Sequence, residues 1–304
     1  MAKLIIGSRG SKLALTQTHH MRDQLRQLHE DLDVDVEIIR TTGDGSRDSL
    51  RSFGGQGVFT KELEKALLDG RVDLAVHSLK DLPTRFNTAL AIVATPPRED
   101  VRDALIAGPA YSELGDLPEG ACVGTGSPRR QTQLRALRPD LDLVDIRGNL
   151  DTRIGKVASG ECTAVILAAA GLHRLGWQQH ISAYLSTQDM LPAAGQAALG
   201  LQMRTDHPLR DRVAALNDVP THCAVRAERS LLQTLRGGCH APVAAWARIE
   251  DDRLVLDGRV GDPSGTPLLH AQRSGPADEP ESLGAALAED LRTLGADHLI
   301  QEST

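Results

Sequence analysis

The hydrophobic pattern of the first hundred residues switches between the period of a strand and that of a helix. Strands are predicted at 3–6, 34–39, 74–76 and 90–94, and helices at 11–29 and 59–69. Strands that alternate with helices are typical of a parallel sheet covered on both faces. We therefore predict an α/β lobe.

The same alternation returns after residue 100 and ends near Pro220. Strands are predicted at 104–107, 122–124, 141–146 and 164–168, with helices from Pro128 and from about Asp151. Past Pro220 the pattern predicts a helix at 221–235, strands at 243–249, 254–260 and 268–272, and a closing helix at 283–294. The fold class is thus two α/β lobes plus a small α+β C-terminal domain.

The composition is that of a folded protein and argues against several classes of function. A chain of 304 residues with 40% hydrophobic content can bury two or three cores. The net charge of -7 argues against nucleic-acid binding and a polybasic membrane anchor, and 2% aromatic residues are too few for base-stacking platforms. The opening apolar run is too short for a secretory signal, and no later run is long enough to span a membrane. We expect a cytoplasmic protein.

The four cysteines are widely spaced and form no CxxC pair, so the sequence predicts neither a disulfide framework nor a metal site. Cys239 differs from the others because it lies on a glycine-rich turn, RGGCHAP at 236–242. The neighbouring Arg236 and His240 could lower its thiol pKa, which makes Cys239 a candidate nucleophile. An exposed cysteine with no role fits this segment equally well.

A candidate anion site lies at residues 124–130, GTGSPRR, where a predicted strand meets a helix. Ser127 is placed as the N-cap and Pro128 as the first helical residue. Free backbone N–H groups would favour an anion, and Arg129 and Arg130 add forked donors. The pattern fits two solvated surface arginines equally well, so the spacing does not decide between an anion site and ordinary surface charges.

Other basic residues follow predicted strands in the same way. Arg147 comes after the next strand and Arg153 near the start of the following helix, so both could reach the same strand-end crevice. Arg9 occupies the equivalent turn of the first lobe, on the other side of an expected interdomain cleft. A cationic cleft in an acidic protein indicates a polyanionic ligand.

One carboxylate also stands at the end of a predicted strand. Lys80 and Asp81 follow the strand at 74–76, where open α/β sheets bind ligands, and Asp81 could act as an acid–base group. The alternative is a turn residue before Leu82 and Pro83. For His77 we expect a satisfied, partly buried side chain.

Six segments stand out in order along nearly the whole chain: SRGSKLA at 8–14, GGQGVFTKELE at 54–64, AVHSLKDLP at 75–83, GTGSPRRQ at 124–131, LPAAGQ at 191–196 and GGC at 237–239. Together they resemble the porphobilinogen deaminase family. The resemblance implies a hydroxymethylbilane synthase, a transferase of porphyrin and haem biosynthesis that joins four porphobilinogen molecules head to tail and releases ammonia.

The resemblance also implies a fold, a cofactor and a set of site residues. The fold is two periplasmic-binding-protein-like lobes, at 1–98 with 199–217 and at 99–198, and an α+β domain at 218–304. The cofactor is a dipyrromethane held by a thioether to Cys239, with no metal, and the protein is expected to be a monomer. Asp81 matches the catalytic aspartate. Cofactor contacts match Lys80, Ser11, Thr125, Ser127, Arg129 and Arg130, and substrate contacts match Arg9, Arg147, Arg153 and Arg174.

The sequence departs from the usual family pattern at a few positions. Gln56 stands where Lys is common, Gly126 and Pro128 stand where Ser and Leu are common, and His240 follows the cysteine. Two other readings stay open: a ligand sensor with periplasmic-binding-like lobes and no covalent cofactor, and a carboxylate-processing transferase that uses Asp81 as a base.

Overall fold

The computed structural model describes residues 1–40, 60–238 and 241–301. Gln56, Cys239 and His240 therefore lie outside the described residues. The chain divides into two compact units, one of Met1–Arg98 with Ala198–His222 and one of Glu99–Ala197 with Cys223–Thr304.

The first unit is built on a five-stranded sheet in the order β2-β1-β3-β10-β4. Its strands are β1 (Ala2–Ser8), β2 (Leu32–Ile38), β3 (Leu74–Ser78), β4 (Leu90–Ala94) and β10 (Leu199–Arg204). Its helices are α1 (Lys12–Leu28), α2 (Lys61–Leu68) and α6 (Arg210–Ala214). Met21 and Leu25, four residues apart on α1, are both buried in the core beneath the sheet, as the helical spacing predicts.

The second unit contains a similar sheet in the order β7-β6-β8-β5-β9. Its strands are β5 (Asp103–Ala107), β6 (Cys122–Gly124), β7 (Asp142–Val144), β8 (Ala164–Ala168) and β9 (Ala183–Tyr184). Its helices are α3 (Pro128–Leu137), α4 (Leu150–Ala158) and α5 (Ala169–Leu175). The fold-class prediction of two α/β lobes is confirmed.

The C-terminal part of the second unit is an antiparallel three-stranded sheet, β11-β12-β13, with helices packed against it. The strands are β11 (Val243–Glu250), β12 (Arg253–Gly261) and β13 (Leu268–Pro276). The helices are α7 (Val219–Thr234), whose first turn belongs to the first unit, α8 (Pro280–Thr293) and α9 (Ala296–Gln301). This confirms the predicted α+β domain. No helix among the described residues is both long and apolar enough to cross a bilayer.

The expectation of parallel sheets was wrong for one strand in each lobe. β10 is antiparallel to β3 and β4, and β5 is antiparallel to β8 and β9. β10 returns to the first sheet from a distant part of the chain, so its direction is not set by a local strand–helix–strand connection.

Helices α7 and α8 approach each other at a glycine. A Cβ added at Gly284 on α8 would lie 2.3 Å from the carbonyl oxygen of Ala227 and 2.7 Å from Cβ of Ser230, both on α7. These contacts are far below van der Waals distance, and backbone cannot rotate away as a side chain can. Gly284 is therefore what lets the two helices pack.

We expect Gly284→Ala to lower the free energy of unfolding by about 1–3 kcal/mol, the usual cost of overpacking. The matched control is Gly155→Ala, because a Cβ at this position on α4 would meet nothing within 4 Å. The control should be neutral or stabilising by up to about 1 kcal/mol, since alanine is the better helix former. Urea unfolding of both variants measures the difference, and equal stabilities would contradict the proposed close packing.

Candidate active site

The carboxyl end of β3 presents Lys80 and Asp81 in a single turn of 3₁₀ helix, Leu79–Asp81. The turn is closed by the backbone N–H of Leu82, which donates to the carbonyl of Leu79 at 3.2 Å. Asp81 is exposed, and its carboxylate makes no hydrogen bond or ion pair within the described part of the chain. The capping hydrogen bond that a turn-residue role would require is thus not made.

His77, on the preceding strand, has a structural role, as expected. It is buried, and its Nε2 lies 3.0 Å from Oε1 of Gln202 on the neighbouring strand β10.

The turn after β1 is held next to the turn after β3. The two strands are parallel neighbours, so their carboxyl ends lie at the same edge of the sheet. Gln17 of α1 links them, because its Nε2 donates to Oγ of Ser78 at 3.1 Å. Arg9 and Ser11 follow β1, and Ser11 Oγ accepts a hydrogen bond from the N–H of Ala14 as the N-cap of α1. The structure therefore gathers the four candidate residues of this lobe at one edge.

The turn after β6 in the second unit matches the predicted anion site in its backbone. Ser127 is the N-cap of α3 and Pro128 its first residue, as predicted, but the Ser127 side chain makes no capping hydrogen bond. Thr125 Oγ1 instead lies 3.4 Å from the N–H of Ser127. Pro128 has no N–H, and those of Arg130 and Gln131 donate to the Ser127 carbonyl, so the first turn of α3 offers a bound anion the N–H of Arg129 and the Ser127 hydroxyl.

Arg129 and Arg130 are not solvated surface charges, so that alternative was wrong. They are only 3% and 5% exposed, and both bind Asp103, which is fully buried at the start of β5. Arg129 Nη2 donates to Oδ2 of Asp103 at 2.7 Å, and Arg130 Nη2 donates to Oδ1 at 2.7 Å. Gln196, of the LPAAGQ segment, donates from Nε2 to the same Oδ1 at 2.9 Å.

The buried cluster of Asp103, Arg129 and Arg130 carries an excess positive charge, because it pairs one carboxylate with two guanidinium groups. Burial by itself would raise the pKa of Asp103, but the two guanidinium groups outweigh this effect and hold that pKa well below its ordinary value. Arg129 Nε is buried and has no hydrogen-bond partner within the described ranges. An unmatched charge and an unused donor are what a site for an anionic group requires.

The remaining candidate arginines follow β7 and β8, the two strands that flank β6. Arg147 comes after β7 and pairs with Asp145, with Nη2 3.2 Å from Oδ2. Arg153 on α4 donates from Nε to the carbonyl of Gly148 at 2.8 Å. Arg174 on α5 donates to the carbonyl of Ala197 at 2.6 Å, and burial lowers its pKa to about 10, so it stays charged at neutral pH.

The sheet therefore gathers the second-lobe candidates at one edge, since β7, β6 and β8 are parallel and end on the same side. Sequence reasoning missed three residues here: Asp103, Asp145 and Gln196. Gln196 lies in a segment that carries the family resemblance, but nothing local to Asp103 indicates that it pairs with arginines more than 20 residues away. No group of three metal-ligating side chains occurs within the described residues.

We expect Asp103→Asn to lower the free energy of unfolding by about 3–5 kcal/mol, because an amide leaves two buried guanidinium groups without a counter-charge. Asp142→Asn, at an exposed position on β7 of the same sheet, is the matched control and should be near neutral. Urea unfolding at pH 7 measures both.

The stabilising effect of Asp103 should depend on pH in a defined direction. Because its folded pKa lies below the reference of 3.8, its contribution is full at neutral pH and is lost as the pH falls below about 4. The difference in stability between wild type and Asp103→Asn should therefore shrink on acidification. A difference that is constant from pH 7 to pH 3 would contradict the pairing.

Comparison with known proteins matches most of the chain to two family models. Residues 4–211 match the family model described as "Porphobilinogen deaminase, dipyromethane cofactor binding domain", and residues 222–293 match "Porphobilinogen deaminase, C-terminal domain". The porphobilinogen deaminase of Syntrophobacter fumaroxidans is 44% identical over 98% of this chain and 96% of its own. That of Gloeobacter violaceus is 46% identical over 98% of this chain and 93% of its own.

Among solved structures, the methionine-binding protein MetQ aligns with a TM-score of 0.46 and 9% identity, covering 70% of this chain and 89% of its own. The two family models together span most of the sequence, and the relatives align along nearly all of it. The chain belongs to the porphobilinogen deaminase family.

Proposed function

We propose that this protein is a hydroxymethylbilane synthase, a transferase that condenses four porphobilinogen molecules head to tail with release of ammonia. The observation that carries the proposal is the exposed Asp81 carboxylate, which no described group neutralises, at a sheet edge otherwise supplied with cations. A protein that only senses an anionic ligand would need the cationic side chains but not a carboxylate. The Asp81 carboxylate next to these cations therefore favours a catalytic function.

The second lobe fits the dipyrromethane cofactor of the family. The cluster of Asp103, Arg129 and Arg130 has one excess positive charge, and Arg129 Nε is an unused buried donor. Both features favour a carboxylate, which the cofactor carries on each ring. When bound, the cofactor supplies the pyrrole carbon to which the first substrate unit is joined.

We assign the covalent attachment of this cofactor to Cys239, on the strength of its glycine-rich turn and the family resemblance. The thiolate is the nucleophile that forms a thioether, so the attachment needs a cysteine that can lose its proton. Burial raises the pKa of Cys162 to about 11, which makes that thiol a poor competitor.

The polar residues at the two sheet edges divide into two groups in this proposal. Those assigned to the cofactor are Lys80, Ser11, Thr125, Ser127, Arg129 and Arg130, and those assigned to the substrate are Arg9, Arg147, Arg153 and Arg174. Each porphobilinogen carries an acetate and a propionate, so negative charge accumulates as the chain grows. Arginine suits this task because its planar fork binds carboxylates with two hydrogen bonds.

Asp81 is the proposed catalytic residue. Its carboxylate can accept hydrogen bonds from pyrrole N–H groups and stabilise the positive charge that develops when ammonia leaves the aminomethyl group. The same oxygens can then take the proton from the pyrrole carbon that has formed the new bond. An exposed carboxylate at the end of a strand is free to approach the substrate for each of these steps.

The wider setting follows from the same assignment. We propose a cytoplasmic monomer that binds neither nucleic acid nor membrane, since its net charge is -7. We place the first lobe at 1–98 with 199–217, the second at 99–198, and the α+β domain that carries Cys239 at 218–304.

We expect Asp81→Asn to lose at least about 100-fold in turnover while keeping its fold, because the amide keeps the shape but loses the charge and the proton acceptor. Asp81→Glu should retain more activity, since only the reach changes. The test is a single-turnover assay of preassembled holoenzyme with porphobilinogen. Asp33→Asn, an exposed carboxylate on β2, is the control. An asparagine variant within a few-fold of wild type would return Asp81 to a turn role.

We expect Cys239→Ser to give folded protein with no covalent cofactor and no activity, because an alcohol is a much weaker nucleophile than a thiolate. Intact mass and product absorbance measure the two effects, with circular dichroism as the check on folding. Cys223→Ser is the control, since Cys223 is a partly exposed cysteine in another part of the chain. A Cys239→Ser protein that retains the added mass would overturn the attachment site.

A further inference from the structure

Asp145 places a carboxylate between the turn after β6 and Arg147. One of its oxygens, Oδ2, accepts hydrogen bonds from Nη2 and Nε of Arg147 at 3.2 and 3.3 Å. The other oxygen, Oδ1, lies against Gly126, where it is 2.6 Å from the position that a Cβ would take. Asp145 thus touches two parts of the proposed anion site with its two oxygens.

This position of Asp145 depends on the glycine at 126. A side chain there would collide with Asp145 Oδ1 and also with the carbonyl oxygen of Ile146, 2.8 Å from the same Cβ position. Serine is common at this place in the family pattern, so Gly126 is one of the departures seen in this sequence. The departure removes the atoms that would otherwise exclude the Asp145 carboxylate.

We propose that Asp145 is a positioning residue that competes with the substrate carboxylate for Arg147 and thereby weakens porphobilinogen binding. The inference rests on the proposed function, which assigns Arg147 to the substrate. Asp145 and the substrate's acetate or propionate present the same chemical group, a carboxylate, to the same guanidinium. Asp145 occupies Nε and Nη2 of Arg147, so the substrate carboxylate can use these two donors only by displacing it.

Because the Arg147–Asp145 pair is exposed, replacing Asp145 by a substrate carboxylate costs little free energy. The side chains of Arg147 and Asp145 are 41% and 52% exposed, and ion pairs in such surroundings are weak because water screens them. The contrast is with Arg129 and Arg130, whose side chains are 4% and 6% exposed in their pairs with the fully buried Asp103. Asp145 therefore holds Arg147 in place before substrate arrives and yields to the substrate afterwards.

The test compares the steady-state kinetics of holoenzyme variants with porphobilinogen. Asp145→Asn should lower KM by about two- to fivefold, the range for loss of an exposed ion pair, and leave kcat within about twofold. Asp145→Ser, which also removes the bulk, should do the same. Asp142→Asn, an exposed carboxylate on β7 without a role in the site, is the control and should leave both constants unchanged.

A double-mutant cycle separates this inference from the assignment of Arg147 itself. Arg147→Leu alone should raise KM, and adding Asp145→Asn to it should have no further effect, because the two residues act through one contact. If Arg147→Leu raises KM but Asp145→Asn fails to lower it, the competition is overturned and the role of Arg147 stands. If Arg147→Leu leaves KM unchanged, both the assignment and the competition are overturned.

Discussion

The second lobe depends on how one buried carboxylate is shared between two arginines. Asp103 binds Arg129 and Arg130 with charge-assisted hydrogen bonds in a region that excludes water. Either guanidinium without this partner would be a buried, uncompensated charge, which costs several kcal/mol. The pairing fixes the first turn of α3 against β5. The Arg129 N–H and the Ser127 hydroxyl at the start of α3 are consequently held in place.

The two lobes differ in whether a serine side chain caps the helix that follows the first parallel strand, which is α1 after β1 and α3 after β6. In the first lobe Ser11 caps α1 by accepting the N–H of Ala14. In the second lobe Ser127 occupies the same position and leaves the helix uncapped. A helix end with unsatisfied donors is less stable by itself, and a ligand carboxylate can make up the difference. The buried cations and the uncapped turn therefore lie together on one side of the second sheet.

Much of this architecture could be predicted from the sequence, because it is encoded locally. The strands Cys122–Gly124 and Ala164–Ala168 were predicted to the residue, since each is a short run of mostly apolar residues. β9, with two residues, is too short to give a pattern, and α5 follows β8 without a polar break. The apolar run that continues from β8 gives no sign that a helix begins, so α5 was not predicted.

The character of the arginines could not be predicted in the same way, because it depends on distant partners. Arg129 and Arg147 both follow strands in polar segments and look alike in sequence. One is buried against Asp103, 26 positions away, and the other pairs near the surface with Asp145, two positions away. Only the fold brings Asp103 under α3. Sequence patterns can place a charged residue at a sheet edge, but they cannot show how deeply it is buried. Burial decides whether its ion pair is strong or can be exchanged for a ligand.

The LPAAGQ segment connects the arginine cluster with the C-terminal sheet of the same unit. At its first residue, the carbonyl of Leu191 accepts a hydrogen bond from Arg129 Nη1 at 2.6 Å. At its end, Gln196 binds Asp103, and the N–H of Gly195 donates to Glu228 Oε2 at 2.6 Å. The other oxygen of Glu228 accepts the N–H of Ala247 on β11 at 2.8 Å.

β11 begins four residues after Cys239, so the strand next to the proposed attachment site and the cations proposed to bind the cofactor are fixed by one buried network. The LPAAGQ segment and Glu228 each make buried hydrogen bonds to two neighbours, so a shift of β11 would have to break buried charge-assisted bonds. The position of the C-terminal sheet is therefore coupled to the geometry of the anion site.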